Sequence, residues 1–245
     1  MTDAPEQTAS SPFSDYEGRD LEALSCLNRY RQWIFDSMAG YVRGRVVEIG
    51  AGIGTFSDLL RSASSELVLV EPGTDQYAAL RDKFGGADGV EVTCNDALAW
   101  AQACPDASFD TVVMINVLEH VEHDEQLLAE LHRILRPGGH LCIFVPALMA
   151  LYSEIDRKYG HFRRYHRAEL RGRMTGAGFA ILKERWMDAP GALAWLIICR
   201  MLRSVDFNPV LAHIYDTLFV PPIRFLEGIV PPPVAKNLLF IGRRP

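Results

Sequence analysis

The chain alternates short apolar runs with longer amphipathic stretches. Val46-Val47-Glu48-Ile49, Leu67-Val68-Leu69-Val70, Val90-Glu91-Val92-Thr93, Phe109 to Ile115 and Leu141 to Pro146 each read as a strand. Most of these runs are apolar throughout rather than alternating, the pattern of strands covered on both faces by helices in a parallel sheet. Leu127, Leu128, Leu131 and Ile134 recur at helical spacing before the turn Arg136-Pro137-Gly138-Gly139. A helix is expected near Ala168 to Thr175, ended by Gly176 and Gly178, then an alternating strand over Phe179 to Trp186 and a last strand over Asn237 to Gly242. Strands and helices in alternation predict an α/β fold.

Two segments fall outside that rhythm. Residues 1–15 are rich in Ser, Thr, Pro and acids, with neither a basic start nor an apolar core, so they read as a flexible tail and not a secretory signal. Leu24, Leu27, Tyr30, Ile34 and Met38 then recur at helical intervals, predicting cap helices over about 20–41 at the start of a domain spanning 16–245. Some 50 residues, about 187–236, separate the last two strands, and a stretch of that length inside a compact domain carries structure or function of its own. Ala192 to Leu202 is nearly all apolar but is interrupted by Arg200 and too short to span a bilayer, which takes about 20 residues. Pro221-Pro222 and Pro231-Pro232-Pro233 break the rest into short sections. The segment reads as a lid whose Trp195, Leu196, Phe219 and Phe225 line an acceptor pocket, touch a bilayer surface, or bury one another.

Composition narrows the classes. The 245 residues are 49% hydrophobic, enough for a sheet buried on both sides, and the net charge of -6 disfavours nucleic acid as a partner. The five cysteines form no Cys-x-x-Cys pair, which suits a reducing, cytoplasmic setting and suggests no metal site.

The candidate chemistry begins where the first strand ends. Gly50, Gly52 and Gly54 alternate in a bend that lets the backbone turn sharply and approach a ligand closely. The dinucleotide fingerprint needs its third glycine where Thr55 stands, and Glu48 just before the bend repels a pyrophosphate while suiting a cationic ligand. The pattern Glu48-x-Gly50-x-Gly52-x-Gly54 resembles the first motif of the class I S-adenosylmethionine-dependent methyltransferases, whose cofactor carries a sulfonium and an ammonium. The resemblance continues along the chain. It implies a Rossmann-like, seven-stranded, mostly parallel sheet with helices on both faces and the last strand antiparallel. It also implies that Glu71, followed by Pro72, takes the ribose hydroxyls, that Asp96 and the Ala97 amide read the adenine, and that Asn116 and Val117 lie beside the methionine part with Ala51 and the glycines. In this family N-terminal helices cover the cofactor, which would bring Tyr30 and Trp33 over the site. The insertion departs from the minimal pattern, where a hairpin joins the last two strands.

The stretch Asp156 to Arg167 clusters cations and phenols, and its Gly160-His161-Phe162-Arg163-Arg164-Tyr165 resembles a loop found in a subset of these enzymes often thought to act on glycans, lipids or other small molecules. Arg163 and Arg164 suit an anionic acceptor, unless they pair instead with Asp156, Glu154 and Glu169. His161 is the first candidate base, with His120 and Tyr165 behind it. These readings favour methyl transfer to a small-molecule acceptor, hydrophobic or anionic, with Tyr30, Arg163, Arg164 and Trp195 as acceptor contacts. A protein or RNA methyltransferase is the alternative, weakened because Asn116 is followed by Val117, Leu118 and Glu119 rather than Pro-Pro-Tyr, and a non-catalytic binding protein is the third.

Overall fold

The computed structural model describes residues 27–201 and 208–245. The expected tail, and the part of the cap before residue 27, lie outside them. Seven strands form one sheet in the order β3-β2-β1-β4-β5-β7-β6, with β1 at Arg45–Ile49, β2 at Glu66–Val70, β3 at Val90–Thr93, β4 at Phe109–Ile115, β5 at Leu135–Pro146, β6 at Ala180–Met187 and β7 at Asn237–Arg243. The strands β1 to β5 pair in parallel, and β7 runs antiparallel to both β5 and β6. This is the Rossmann-like methyltransferase topology.

Alternate residues of each strand point to opposite faces, and both faces are covered. Val47, Ile49, Val112 and Met114 pack against Leu127, Leu128, Leu131 and Ile134, whereas Val46, Leu67, Leu69 and Val113 pack against Trp33, Ile34, Leu60 and Leu80. The helices in chain order are α1 (Asn28–Met38), α2 (Ser57–Ala63), α3 (Thr74–Phe84), α4 (Ala97–Ala103), α5 (Asp124–Ile134), α6 (Glu154–Lys158) and α7 (Arg167–Gly176). Helix α5 shows how local chemistry agrees with packing: one stripe is buried leucine and isoleucine, acids Asp124 and Glu125 open it, and His132 and Arg133 close it, complementing the helix dipole.

The strand expected to start at Leu141 already pairs at Leu135, opposite Phe109. The Pro-Gly-Gly turn is absorbed as an irregularity before pairing resumes at His140 opposite Thr111, with Gly138 at φ +82°. Beyond β6 the insertion forms α8 (Ala189–Trp195), α9 (Pro209–Ile214) and α10 (Val220–Ile229) with wider π turns at Leu196–Met201 and Tyr215–Phe219. Asp188 fastens it to the body. Its carboxylate is fully buried, accepts from Tyr30 Oη at 3.2 Å, from Tyr215 Oη and from the Gly191 amide at 2.9 Å, and faces Lys236 Nζ at 3.2 Å. Asp216 accepts the amides of Arg29 and Tyr30, and Glu227 those of Asp188 and Ala189. Among the described residues, no helix is long and apolar enough to cross a membrane.

Candidate active site

Strands β1, β2, β3 and β4 end on one edge of the sheet, on both sides of the point where the order reverses between β1 and β4, the place where open α/β sheets hold ligands. An open cavity of about 110 Å³ lies there, lined by Ile49, Gly50, Val70, Glu71, Pro72, Gly73, Asn95, Asp96, Ala97, Asn116, Val117, His120 and Val121.

The bend after β1 is set by backbone and packing. Gly50, Gly52 and Gly54 all have positive φ, at 70°, 57° and 79°, a region that favours glycine. A Cβ on Gly50 would fall 2.4 Å from Val117 Cγ2 and one on Gly54 2.6 Å from the Phe84 ring, so the bend lies flush against α3 and the segment that follows β4. The Gly50 and Ala51 amides donate to Val70 O at 2.8 and 3.1 Å, tying the bend to β2.

The carboxylate of Glu71 receives the Gly52 amide at 2.8 Å and the Gly73 amide at 2.9 Å. A carboxylate is an acceptor only, and a ribose diol is a pair of donors that suits it. Asp96 Oδ1 accepts the Leu98 and Ala99 amides at 2.9 and 3.1 Å, so this exposed residue is the N-cap of α4 as well as part of the cavity wall. Asn116 sits at φ +53°, and among the described residues its buried Oδ1 has no hydrogen-bond partner. A buried acceptor without a donor is costly, and an ammonium is a donor that would satisfy it.

Glu48 does not line the cavity. It is buried behind the bend, where Ser57 Oγ donates to its Oε2 at 2.6 Å. Burial pushes its carboxyl up to about 8, with the charge of Glu71 adding to the effect and the Ser57 hydrogen bond opposing it. The expected direct grip on a cation is corrected to a support beneath the glycine bend, because α2 brings Ser57 down onto that side chain.

The loop from α6 to α7 divides its residues between two environments. His161 turns toward the cavity's rim, its ring centroid 4.6 Å from that of His120 and nearly perpendicular to it, and its Nδ1 lies 2.9 Å from Asp156 Oδ1. Burial, with the charge of His161 adding and a backbone hydrogen bond to Tyr159 opposing, pushes His120 down to about 3, so it is a neutral imidazole at physiological pH. Arg164 is instead buried, with Nε 2.7 Å from Asp156 Oδ1 and its guanidinium 4.6 Å over the Trp195 ring. Burial tends to raise Asp156, but the His161 hydrogen bond and the Arg164 charge outweigh it and hold that carboxyl below its ordinary range. Arg163 spans Asp124 Oδ2 at 2.9 Å and Glu122 O at 2.9 Å.

Four expected contacts therefore stand elsewhere. Tyr165 is fully buried and donates to Asp124 Oδ2 at 2.6 Å; burial and Asp124 push its phenol well above the usual range, so it is no base. Arg164 is committed to Asp156. Tyr30 is buried against the sheet face, where Asn237 Nδ2 donates to its hydroxyl at 2.7 Å, and Trp195 donates to Leu151 O at 3.1 Å. Among the described residues, none of the insertion lines the cavity. Sequence reasoning passed over Glu119, whose buried carboxylate lies in a cluster with His120 and His161, and Asp124, which organises Arg163, Tyr165 and Arg173. Only the third dimension brings these together, since positions 119–124 and 156–165 lie some 40 residues apart.

A sheet of this order, with a glycine bend after β1, acids after β2 and β3 and an amide after β4, defines an α/β protein of the methyltransferase class. The family profile described as "Methyltransferase domain" matches residues 20–184, and the chain belongs to that family. It is 27% identical over 156 residues, 62% of this chain and 59% of the relative, to a protein named a probable S-adenosylmethionine-dependent methyltransferase of Mycolicibacterium smegmatis. It is 30% identical over 125 residues, 51% of this chain and 50% of the relative, to a ubiquinone biosynthesis O-methyltransferase of Cupriavidus pinatubonensis. The chain thus spans between half and three fifths of the length of these relatives. A S-adenosylmethionine-dependent methyltransferase structure from Archaeoglobus fulgidus superposes with a TM-score of 0.58 at 21% identity, covering 92% of this chain and 94% of that one, which shows the fold. The orphaned Asn116 oxygen, the Glu71 carboxylate and the glycine bend fit S-adenosylmethionine, for which two of these proteins are named.

Proposed function

We propose that this protein transfers a methyl group from S-adenosylmethionine to a small-molecule acceptor with an apolar body and a nucleophilic oxygen. The observation that carries the reading is the convergence of Glu71, Asp96, Asn116 and the glycine bend on one cavity whose far rim is the His120–His161 pair. When bound, the cofactor supplies a methyl carbon on an activated sulfonium. The chain's own residues do the rest. Glu71, with Pro72, holds the ribose, Asp96 and the Ala97 amide hold the adenine, and Asn116, Val117, Ala51 and the bend hold the amino-acid end. Val117 and Val121 offer the acceptor an apolar wall, and the imidazole pair receives its reacting hydroxyl at near-attack distance, with the proton leaving on the His161 side. Asp156 serves as the positioning residue for His161. A relative named a demethylmenaquinone methyltransferase supports a small-molecule acceptor, and one named a ubiquinone biosynthesis O-methyltransferase supports methylation at oxygen.

A lipid-contacting role for the insertion is supported by its outer surface. Val210, Leu211, Leu218, Phe225, Leu226 and Val230 are each more than half exposed, while the two acids between 208 and 236, Asp216 and Glu227, are turned inward. Large apolar patches of this kind mark interaction surfaces.

The test is incubation with labelled S-adenosylmethionine and a panel of phenols, catechols and apolar alcohols, with amines and RNA as controls. Transfer to a hydroxyl acceptor is expected; transfer confined to RNA or protein would sink the reading. Cosedimentation with lipid vesicles, lost in a Phe225→Ser/Leu226→Ser variant of unchanged stability, checks the outer face.

A further inference from the structure

Two imidazoles and a buried carboxylate meet beside the cavity, whose wall includes His120. Glu119 and His120 stand on the single turn Leu118–His120 that follows β4, and His161 comes from the loop after α6. One ligand-capable atom from each lies within 4.8 Å of the other two. Two independent observations give this meeting a purpose. The first is how His161 is held: its Nδ1 is engaged by Asp156 at 2.9 Å, and that buried carboxylate is itself fixed by Arg164 Nε at 2.7 Å, the Ser153 amide at 2.8 Å and Ser153 Oγ at 3.0 Å. An imidazole with one nitrogen on an anchored carboxylate and the other turned toward neighbouring ligand atoms is the arrangement of metal-binding histidines. The second is the bond that joins the two segments, from the Phe162 amide to Glu119 O at 2.9 Å, which sets the histidine loop in register with the turn.

We propose that Glu119, His120 and His161 bind a divalent first-row metal ion at the acceptor end of the cavity. Two imidazoles and one carboxylate are the donor set of open catalytic zinc sites and of facial iron sites, with positions left for an exogenous oxygen. They are a poor set for magnesium or calcium, which take oxygen ligands and keep water. His120 belongs to the cavity lining, so an ion here borders the space where the acceptor is read. Its chemical partner is a phenol, catechol or enol oxygen, which on ligation releases its proton to solvent at a lower pH than the free hydroxyl does. The inference rests on the methyl-transfer reading for the identity of that partner, and it relieves His161 of the task of taking the proton.

The protein is stripped with chelator and titrated calorimetrically with Zn²⁺, Co²⁺, Mn²⁺ and Mg²⁺. One site per chain is expected, with Zn²⁺ and Co²⁺ bound at least about 100-fold more tightly than Mg²⁺, and the Co²⁺ form absorbing in the visible. His161→Ala and Glu119→Gln each weaken Zn²⁺ by at least tenfold, and Asp156→Asn, acting through His161, by about 10- to 100-fold. If a variant loses its fold, ring ¹⁵N shifts of the wild-type histidines on adding Zn²⁺ decide: movement of His120 and His161 supports the site, and movement only elsewhere overturns it. No binding at millimolar ion, or binding indifferent to His161→Ala, also overturns it. Full methyl transfer by the stripped enzyme would remove the ion's role toward the acceptor while leaving the methyl-transfer reading intact. Ion binding without transfer to any acceptor would sink that reading and leave the site standing.

Discussion

The strand-end cavity and the C-terminal helical insertion use carboxylates in the same local way and to opposite ends. Glu71 and Asp96 gather backbone amides at the cavity wall, and Asp188, Asp216 and Glu227 gather amides and hydroxyls where solvent is shut out. The first pair is arranged early in the chain and lines the cavity; the second group holds α1, β6 and the insertion together. The type of residue, its hydrogen-bond habit and even its burial are therefore poor guides, since Glu71 and Glu227 are both buried, and what separates them is that Glu71 borders the cavity.

The comparison breaks most sharply at Asp188. Asp188→Ala leaves Lys236, Tyr30 and Tyr215 without their shared acceptor, and removal of one partner from a buried charged network costs about 3–5 kcal/mol. Chemical denaturation should register that loss, and a midpoint equal to wild type would show that the insertion is not fastened there.

Glu48 gives the next largest effect, through pH. Its folded carboxyl titrates at about 8 and an ordinary glutamate near 4.5, so between those values the folded protein keeps a proton that the unfolded chain releases. Stability should fall as pH rises through that window, on the order of a few kcal/mol in all, and level off above it. Thermal melts from pH 4.5 to 8.5 read the slope, and Glu48→Gln should flatten it.

At the cavity, Glu71→Gln should weaken S-adenosylmethionine binding by about tenfold or more while costing about 1 kcal/mol of stability, since the Gly52 and Gly73 amides lose a charged acceptor. Titration calorimetry beside a melt separates the two. Unchanged affinity would place Glu71 with the fasteners. The smallest effect belongs to Arg163→Gln, which gives up a partly exposed pair with Asp124. It should cost about 1 kcal/mol or less and leave cofactor affinity within twofold.

Much of the sheet was legible because buried parallel strands announce themselves as apolar runs, and the glycine bend because its backbone excludes other residues. Glu71, Asp96 and Asn116 fall at the ends of such runs, so finding the strands located them. The loop 156–165 was not legible in the same way. Its arginines and tyrosine look alike in sequence, but Arg164 and Tyr165 point into the body, where Asp156 and Asp124 wait, and only His161 turns to the rim. Tyr30 and Trp195 were read as acceptor contacts for being aromatic and near the expected cover; their hydroxyl and indole nitrogen answer to Asp188, Asn237 and Leu151 instead.

The position of β7 has a consequence for how the molecule is made. It lies between β5 and β6, so β6 has no strand to pair with until residues 237–243 arrive. A nascent chain that has emerged only through the insertion holds two raw strand edges with the exposed Leu211, Phe225 and Leu226 of α9 and α10 after them in sequence, a form prone to sticking to its neighbours. Closing the sheet falls to β7, which follows the insertion in the chain and so reaches both edges only after those apolar helices have been made.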